Sequence, residues 1–393
     1  MRTVTDDERR ARIAVRHGLG PGQAFAGIPE ATCGMTAWHA TDPPSVHLAI
    51  QARTRAVSVA DIDRALNDER SLIKQLSMRR TLFAVDRHLL PAVIAGPGRR
   101  TAGPERRRLV KDIGATGRGP DPEKWLATAE SAILACLGQA ALTTAQVREV
   151  VPEIAGTIPV AIGTKWGQDV PLAPRVLTVL AAEGAVTRGP NATHWRVSKP
   201  SWTTMGHWLG EVPDLPAVDA AYAELVRNWL WTFGPGTEED IVWWFGATKT
   251  AIRAALADIG AVRVALESGQ PAWLHPGDVE PVSDPGPWVA LLPTLDPTTM
   301  GWRGRDFYLD ARDRRFFFDS VGNGQATVWA DGRIIGAWAQ SDDGAVRVVL
   351  RGKESRARLE RIDAAVSALE DFLDGEKVPS TYARALIAGE ALP

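Results

Sequence analysis

Leu142-Thr-Thr-Ala-Gln-Val-Arg-Glu-Val-Val151, Pro174-Arg-Val-Leu-Thr-Val-Leu-Ala-Ala-Glu183 and Ala185-Val-Thr-Arg-Gly-Pro-Asn-Ala-Thr-His-Trp-Arg-Val197 together decide the fold. The first segment reads as a short helix capped by Thr143 or Thr144, whose hydroxyl can accept from an orphan backbone N–H of the first turn. The second reads as a longer helix closed by Gly184, the residue type that enters the left-handed conformation at no steric cost. The third alternates around Gly189-Pro190-Asn191 and predicts a β-hairpin. Helix, helix, hairpin is the order of a winged helix. Downstream the grammar returns: Gly236-Thr-Glu-Glu-Asp-Ile-Val-Trp-Trp-Phe245, then Thr248–Ile259 closed by Gly260, then strands Val262–Leu266 and Ala272–His275 joined through Ser268-Gly269. Upstream, Ser58–Leu66, Leu72–Leu76 and Arg80–Val85 form a looser copy. A repeated module has to be recognised before the fold is assigned.

Beyond Pro281 the texture changes. Trp288–Leu295, Asp306–Leu309, Arg315–Phe318, Ala326–Trp329, Arg333–Trp338 and Val346–Leu350 are short apolar runs separated by turn signals, which predicts an antiparallel sheet or small barrel. Leu359–Leu373 places Ile362, Val366, Leu369, Phe372 and Leu373 on one helical face. The expected fold class is α+β: tandem winged-helix (helix-turn-helix) domains, then a small β-rich or barrel domain and a C-terminal helix. The expected boundaries are 1–118, 119–212, 213–280 and 281–393, with linkers at 96–121, 199–216 and 276–287, where Gly and Pro gather.

The composition, 45% hydrophobic and 23% charged, is that of an ordinary globular protein. The two cysteines, Cys33 and Cys136, are far apart, which argues against a disulfide framework and a cysteine zinc site. No histidine spacing suggests a metal, so neither metal nor cofactor is expected. No apolar run approaches the ~20 residues of a membrane span. The opening Met1–Arg10 is too charged for a secretory signal, so a cytoplasmic, nucleoid-associated protein is expected.

The net charge of −2 conceals an asymmetry: residues 1–200 carry +8 and residues 201–393 carry −10. The positive half is rich in arginine pairs, including Arg79-Arg80, Arg99-Arg100 and Arg106-Arg107-Arg108. Guanidinium groups hold phosphates in a bidentate way. Double-stranded DNA is therefore the expected partner. The fifteen tryptophans fit core packing better than base stacking.

Five segments occur in order along the chain: Trp38-His-Ala-Thr-Asp-Pro-Pro44, Lys74-Gln-Leu-Ser-Met-Arg-Arg-Thr-Leu-Phe83, Leu291-Leu-Pro-Thr-Leu-Asp-Pro-Thr-Thr-Met-Gly301, Gly304-Arg-Asp-Phe-Tyr308 and Asn323–Trp338. Together they resemble the bacterial crosslink-repair DNA glycosylases typified by YcaQ and AlkZ. The resemblance implies tandem winged helices followed by a β-rich domain, and release of N-alkylated purines, bulky and crosslinked ones included. That family places glutamine–apolar–glutamine, or glutamine–apolar–aspartate, before an Asp-Pro-like turn. This chain has His39-Ala40-Thr41 before Asp42-Pro43.

On that alignment His39 and Thr41 are the candidate catalytic residues. Residues i and i+2 of an extended segment point the same way and could hold one water between them. The imidazole must be neutral, because a cation would oppose the positive charge that develops on the sugar. Asp42 and Pro43 are read as structural, an N-cap and first-turn proline. Arg79, Arg80, Arg106, Arg107, Arg108, Arg188 and Arg196 are the candidate DNA contacts, the last two flanking the Gly189-Pro190-Asn191 turn together with His194. The leading expectation is a monomeric, monofunctional DNA glycosylase. The alternatives are a non-catalytic winged-helix lesion sensor or regulator and a protein-interaction module.

Overall fold

Three side-chain caps fix helix starts along the chain. Ser58 with Asp61, Thr143 with Gln146 and Thr237 with Asp240 each form a reciprocal capping box. A computed structural model describes residues 1–378 apart from 119, 162 and 164.

The chain opens with β1 (Thr3–Val4) and α1 (Asp6–Arg16). A first unit follows: α2 (Ile28–Met35), β2 (Trp38–His39), α3 (Pro43–Gln51), α4 (Val59–Asn67), β3 (Leu72–Leu76) and β4 (Leu82–Asp86), with sheet order β2-β4-β3. α5 (Leu90–Val93) then runs through a π turn at Ile94–Gly98 into α6 (Arg99–Gly114). The second unit has α7 (Pro122–Leu137), β5 (Leu142–Thr143), α8 (Thr144–Val150), the hairpin β6 (Thr157–Val160) and β7 (Gln168–Pro171), α9 (Leu172–Ala182), β8 (Val186–Asn191) and β9 (Pro200–Thr204). Its main sheet is ordered β5-β9-β8. α10 (Met205–Leu209) leads to the third unit: α11 (Val218–Phe233), α12 (Glu238–Phe245), α13 (Lys249–Asp258), β10 (Val262–Leu266) and β11 (Pro271–Leu274). There a single bridge joins Gly236 to Trp273, and β1 pairs in parallel with β10. In each unit the backbone just before or at the second helix thus pairs with the last strand of the hairpin. The C-terminal part comprises β12 (Val289–Leu292), α14 (Pro297–Met300), α15 (Arg314–Phe317), β13 (Thr327–Ala330), β14 (Arg333–Gln340), β15 (Val346–Leu350) and α16 (Arg356–Leu373).

The last sheet is open, in the order β12-β13-β14-β15, and its two end strands do not pair. The barrel alternative therefore fails: α16 covers the sheet instead, through Ile362, Leu369 and Leu373 against Val328, Trp338 and Val346. The segments 306–309 and 315–318 are not strands either. They are turns and a short helix in which Phe307, Tyr308, Leu309, Phe317 and Phe318 are all buried. A continuous aromatic run lacks the alternation that would leave one sheet face wet.

Residues 99–114, read as linker, form α6, because Ala102, Leu109 and Ile113 share a buried face. The 199–216 stretch holds β9 and α10, whereas 276–287 has no regular structure and is fastened to α1 by Arg12 and Arg16 on Asp278. The hairpin tip of the second unit lies at 192–199 rather than at Gly189-Pro190-Asn191, which falls inside β8. Burial of the tryptophans agrees with the core expectation: most are buried, while Trp166 and Trp231 are exposed.

The largest core cluster runs from the first unit through the third into the C-terminal sheet, joining Trp38, Phe83, Trp229, Phe233, Phe245, Trp302, Tyr308 and Trp329. The second unit has a cluster of its own around Ile133, Val147, Leu177 and Val186.

Candidate functional site

β2 is two residues long, and it holds His39 against β4 opposite Phe83. The imidazole packs on the Phe83 ring with centroids 4.8 Å apart. His39 is 5% exposed, and its Nδ1 is buried without a hydrogen-bond partner. Burial first, and then the charge of Arg79, lower its pKa to about 3. It is therefore neutral at physiological pH.

Thr41 is exposed, and its hydroxyl accepts from the Leu82 N–H at 3.2 Å. The bond ties the end of the segment to β4 and leaves the hydroxyl proton free to donate. Asp42 occupies the N-cap of α3 with Pro43 at the first helical position, yet its carboxylate caps no backbone group. It accepts instead from the Ser45 hydroxyl at 2.8 Å, and burial raises its pKa.

The turn between β3 and β4 carries Arg79 and Arg80, both in the left-handed region at φ 51° and 64°. Arg79 lies across Trp243 of α12, its guanidinium carbon 4.1 Å from the ring centroid. Arg305 approaches the same indole at 5.6 Å and stacks on Phe318 at 3.7 Å. Burial, followed by the charge of Arg305, lowers the pKa of Arg79 to about 10. Arg305 and Trp243 were not singled out from sequence. Arg305 stands within one of the quoted family-like segments, which was the one signal available.

The remaining arginines separate by partner. On α6, Arg100, Arg107 and Lys111 are exposed and fall on one face at seven- and four-residue spacing. Arg108 is exposed beside Glu105, and Arg80 makes a looser pair with the same carboxylate at 3.4 Å. Arg106 differs: it is held by both Glu130 and Glu183, each at 2.8 Å. Arg188 points inward over Trp202 and lines, with Lys74, a cavity of about 20 Å³, far too small for a nucleobase. Arg196 and His194 meet Glu376 rather than forming a free tip.

Arg53, whose guanidinium carbon lies 5.6 Å from the Trp38 ring centroid, forms a bidentate pair with Asp296, both 0% exposed in their side chains. Thr298 accepts from Arg53 and bonds His17 Nδ1 at 2.8 Å, while His17 Nε2 meets the Thr232 carbonyl. One polar chain thus joins α3, α14, α1 and α11. Among the described residues no group of three or more His, Cys, Asp or Glu side chains could hold a metal, and no helix is long and apolar enough to cross a membrane.

Burial, the larger cause, also lowers the pKa of His17 to about 3, with Arg53 assisting. For His17 and His39 the folded value lies below the unfolded value of about 6.5. Below that pH the unfolded chain takes up protons that the folded chain refuses, so stability present above it is lost as pH falls toward 3. The expected loss is about 2 kcal/mol per histidine by pH 5. Urea midpoints measured at pH 7.5 and 5 read it directly. His39→Gln should remove the share that His39 contributes, about 2 kcal/mol, and equal midpoints at both pH values would refute the assignment.

A family model, DNA glycosylase AlkZ-like, matches residues 33–372. Among solved structures, the DNA glycosylase AlkZ of Streptomyces sahachiroi is similar, with a TM-score of 0.72 at 17% identity, over 96% of this chain and 99% of that one. At that identity the likeness speaks for the fold. A search of curated proteins by sequence finds no match. With its family-like segments in order and the model spanning all three units and the C-terminal sheet, the chain belongs to the AlkZ-like DNA glycosylase family.

Proposed function

We propose that the protein is a monomeric, monofunctional DNA glycosylase that hydrolyses the N-glycosidic bond of N-alkylated purines in double-stranded DNA, bulky or crosslinked adducts included. We read its three units as winged helices, on the strength of their shared helix order and the pairing of the leading backbone with the last hairpin strand. The observation that carries the catalytic reading is His39, a neutral, buried imidazole at the motif position with an unpartnered nitrogen.

An N-alkylated purine is already a cationic leaving group. The C1′–N bond breaks with its electron pair going to the base, and the sugar becomes oxocarbenium-like. A water oxygen then bonds to C1′ and releases its proton to solvent. His39 accepts a hydrogen bond from that water and orients it. With a pKa near 3 it is too weak to hold the proton as a general base. Thr41 supplies a second contact through its free proton. Excision without strand cleavage is expected, since the motif segment Trp38–Pro44 contains no lysine to act as a Schiff-base nucleophile.

The alternative, a non-catalytic lesion-binding protein, is favoured by one observation: the Arg79 charge acts on His39 and would oppose a cationic sugar. Single-turnover release of N7-methylguanine from duplex DNA decides between them. Base release leaving alkali-labile, otherwise uncleaved strands supports the glycosylase. Salt-sensitive binding without release of this or a bulkier N7 adduct supports the alternative.

The arginine partners give a separate expectation. Arg107→Ala should reduce the slope of log K against log salt by about 1, as for one lost phosphate contact. Arg106→Ala should leave the slope unchanged and lower stability by about 1 kcal/mol, because its partners are Glu130 and Glu183. A reversed pattern in binding titrations would reassign the two residues.

A further inference from the structure

We propose that Arg79, Trp243 and Arg305 form a clamp for one phosphodiester of the DNA strand beside His39. The inference rests on the reading that this face meets DNA. The three residues come from distant parts of the chain: the β3–β4 turn, α12 and the loop after α14.

Neither guanidinium makes an ion pair among the described residues, although Arg305 is only 4% exposed. Both Nε atoms are buried without partners, as is Nδ1 of His39. Arg305 meets neutral groups instead: the Tyr308 hydroxyl, and the Gly322 carbonyl at 3.4 Å. The carboxylate that acts on it, Asp240, already accepts from Thr237 and from the backbone N–H groups of Arg303 and Gly304. Two cationic groups are therefore gathered beside a neutral imidazole, without an ion pair to any described carboxylate. Buried charge in proteins is otherwise paired.

The packing shows what would pair it. Indole and phenyl rings lie against the guanidiniums, and the unpartnered N–H groups remain for a ligand. Those groups match the oxygens of a phosphate. Arg79 is held in a left-handed backbone conformation, φ 51° and ψ 27°, which a non-glycine residue adopts at a cost. Such positions cluster at ligand clamps. A phosphodiester fits the proposed reaction as well: a target nucleotide swings out about its backbone, and a gripped phosphate is the pivot.

The test uses full-length protein and a duplex with one tetrahydrofuran abasic analogue. A neutral methylphosphonate is walked through the flanking positions. At one position it should weaken wild-type binding about 10-fold and Arg79→Gln binding less than about 2-fold, since the partner of the charge is already gone. Arg79→Lys, which keeps the charge and loses the fork, should show an intermediate loss at that same position. Equal losses for wild type and variant at every position would overturn the clamp. Binding is scored without catalysis, so a protein that excises nothing can still pass. A wild type with no salt-dependent duplex binding fails the DNA reading itself. Should Arg79→Gln fail to fold by circular dichroism, the wild-type and Arg79→Lys series decide alone: a shared sensitive position supports the clamp, and its absence overturns it.

Discussion

Asp296→Ala is expected to destabilise the fold by about 3–5 kcal/mol, because it leaves the Arg53 guanidinium buried without its counter-charge. Both Asp296 oxygens accept from Arg53, at 2.6 and 2.9 Å, and one also accepts from the Thr298 N–H. Arg53 cannot turn to water, being 0% exposed and bonded also to the Ala49 carbonyl and Thr298. The effect should appear as a lower urea midpoint for the transition that reports on the buried tryptophans. Replacing both residues by leucine should recover part of the loss, since an apolar pair carries no stranded charge. A single substitution that shifts stability by less than about 1 kcal/mol would show that the pair is not a staple. This expectation gives the Leu-Pro-Thr-Leu-Asp-Pro segment a structural role: it anchors the end of the helix that follows His39 and Thr41.

His39→Ala is expected to slow single-turnover excision by about 100-fold, at the low end of what a positioned proton acceptor contributes. Duplex affinity should change little, because the ring lies in the protein and carries no charge. The pH profile separates orientation of water from general-base catalysis. With a pKa near 3, His39 should give a flat rate between pH 5 and 8 over the range where the protein stays folded. An inflection near 6.5 that vanishes in the variant would show a titrating base and sink the orienting role. His39→Gln restores a neutral acceptor and should retain activity within about 10-fold of wild type.

The second and third units were legible because their signals are local. Thr143, Gly184, Thr237 and Gly260 mark helix ends through the chemistry of a few neighbouring residues. The failures are those of long range. Residues 99–114 look like linker until α9 and the second unit's core supply a surface for Leu109 and Ile113. The aromatic runs at 306–318 look like strands until the shared core absorbs them. At the candidate site, His39 is singled out by its place in a motif. Arg305 and Trp243 come to it by tertiary folding alone. A run such as Arg106-Arg107-Arg108 cannot reveal which guanidinium will meet Glu130 and Glu183, because those carboxylates arrive from other helices.

The docking of the β3–β4 turn onto α12 has a mechanical consequence. Arg79 lies flat against Trp243, and the first and third units share one hydrophobic core. The angle between those units is therefore set before any nucleic acid arrives. On the proposed DNA-bound reading, the protein is the stiff member of the pair, and a duplex laid across both units must do the bending. Intact, well-stacked DNA resists that deformation by several kcal/mol, whereas a site with weakened stacking yields more readily. The rigid wall would then act as a gauge of local stiffness, favouring damaged steps before any side chain touches the altered base.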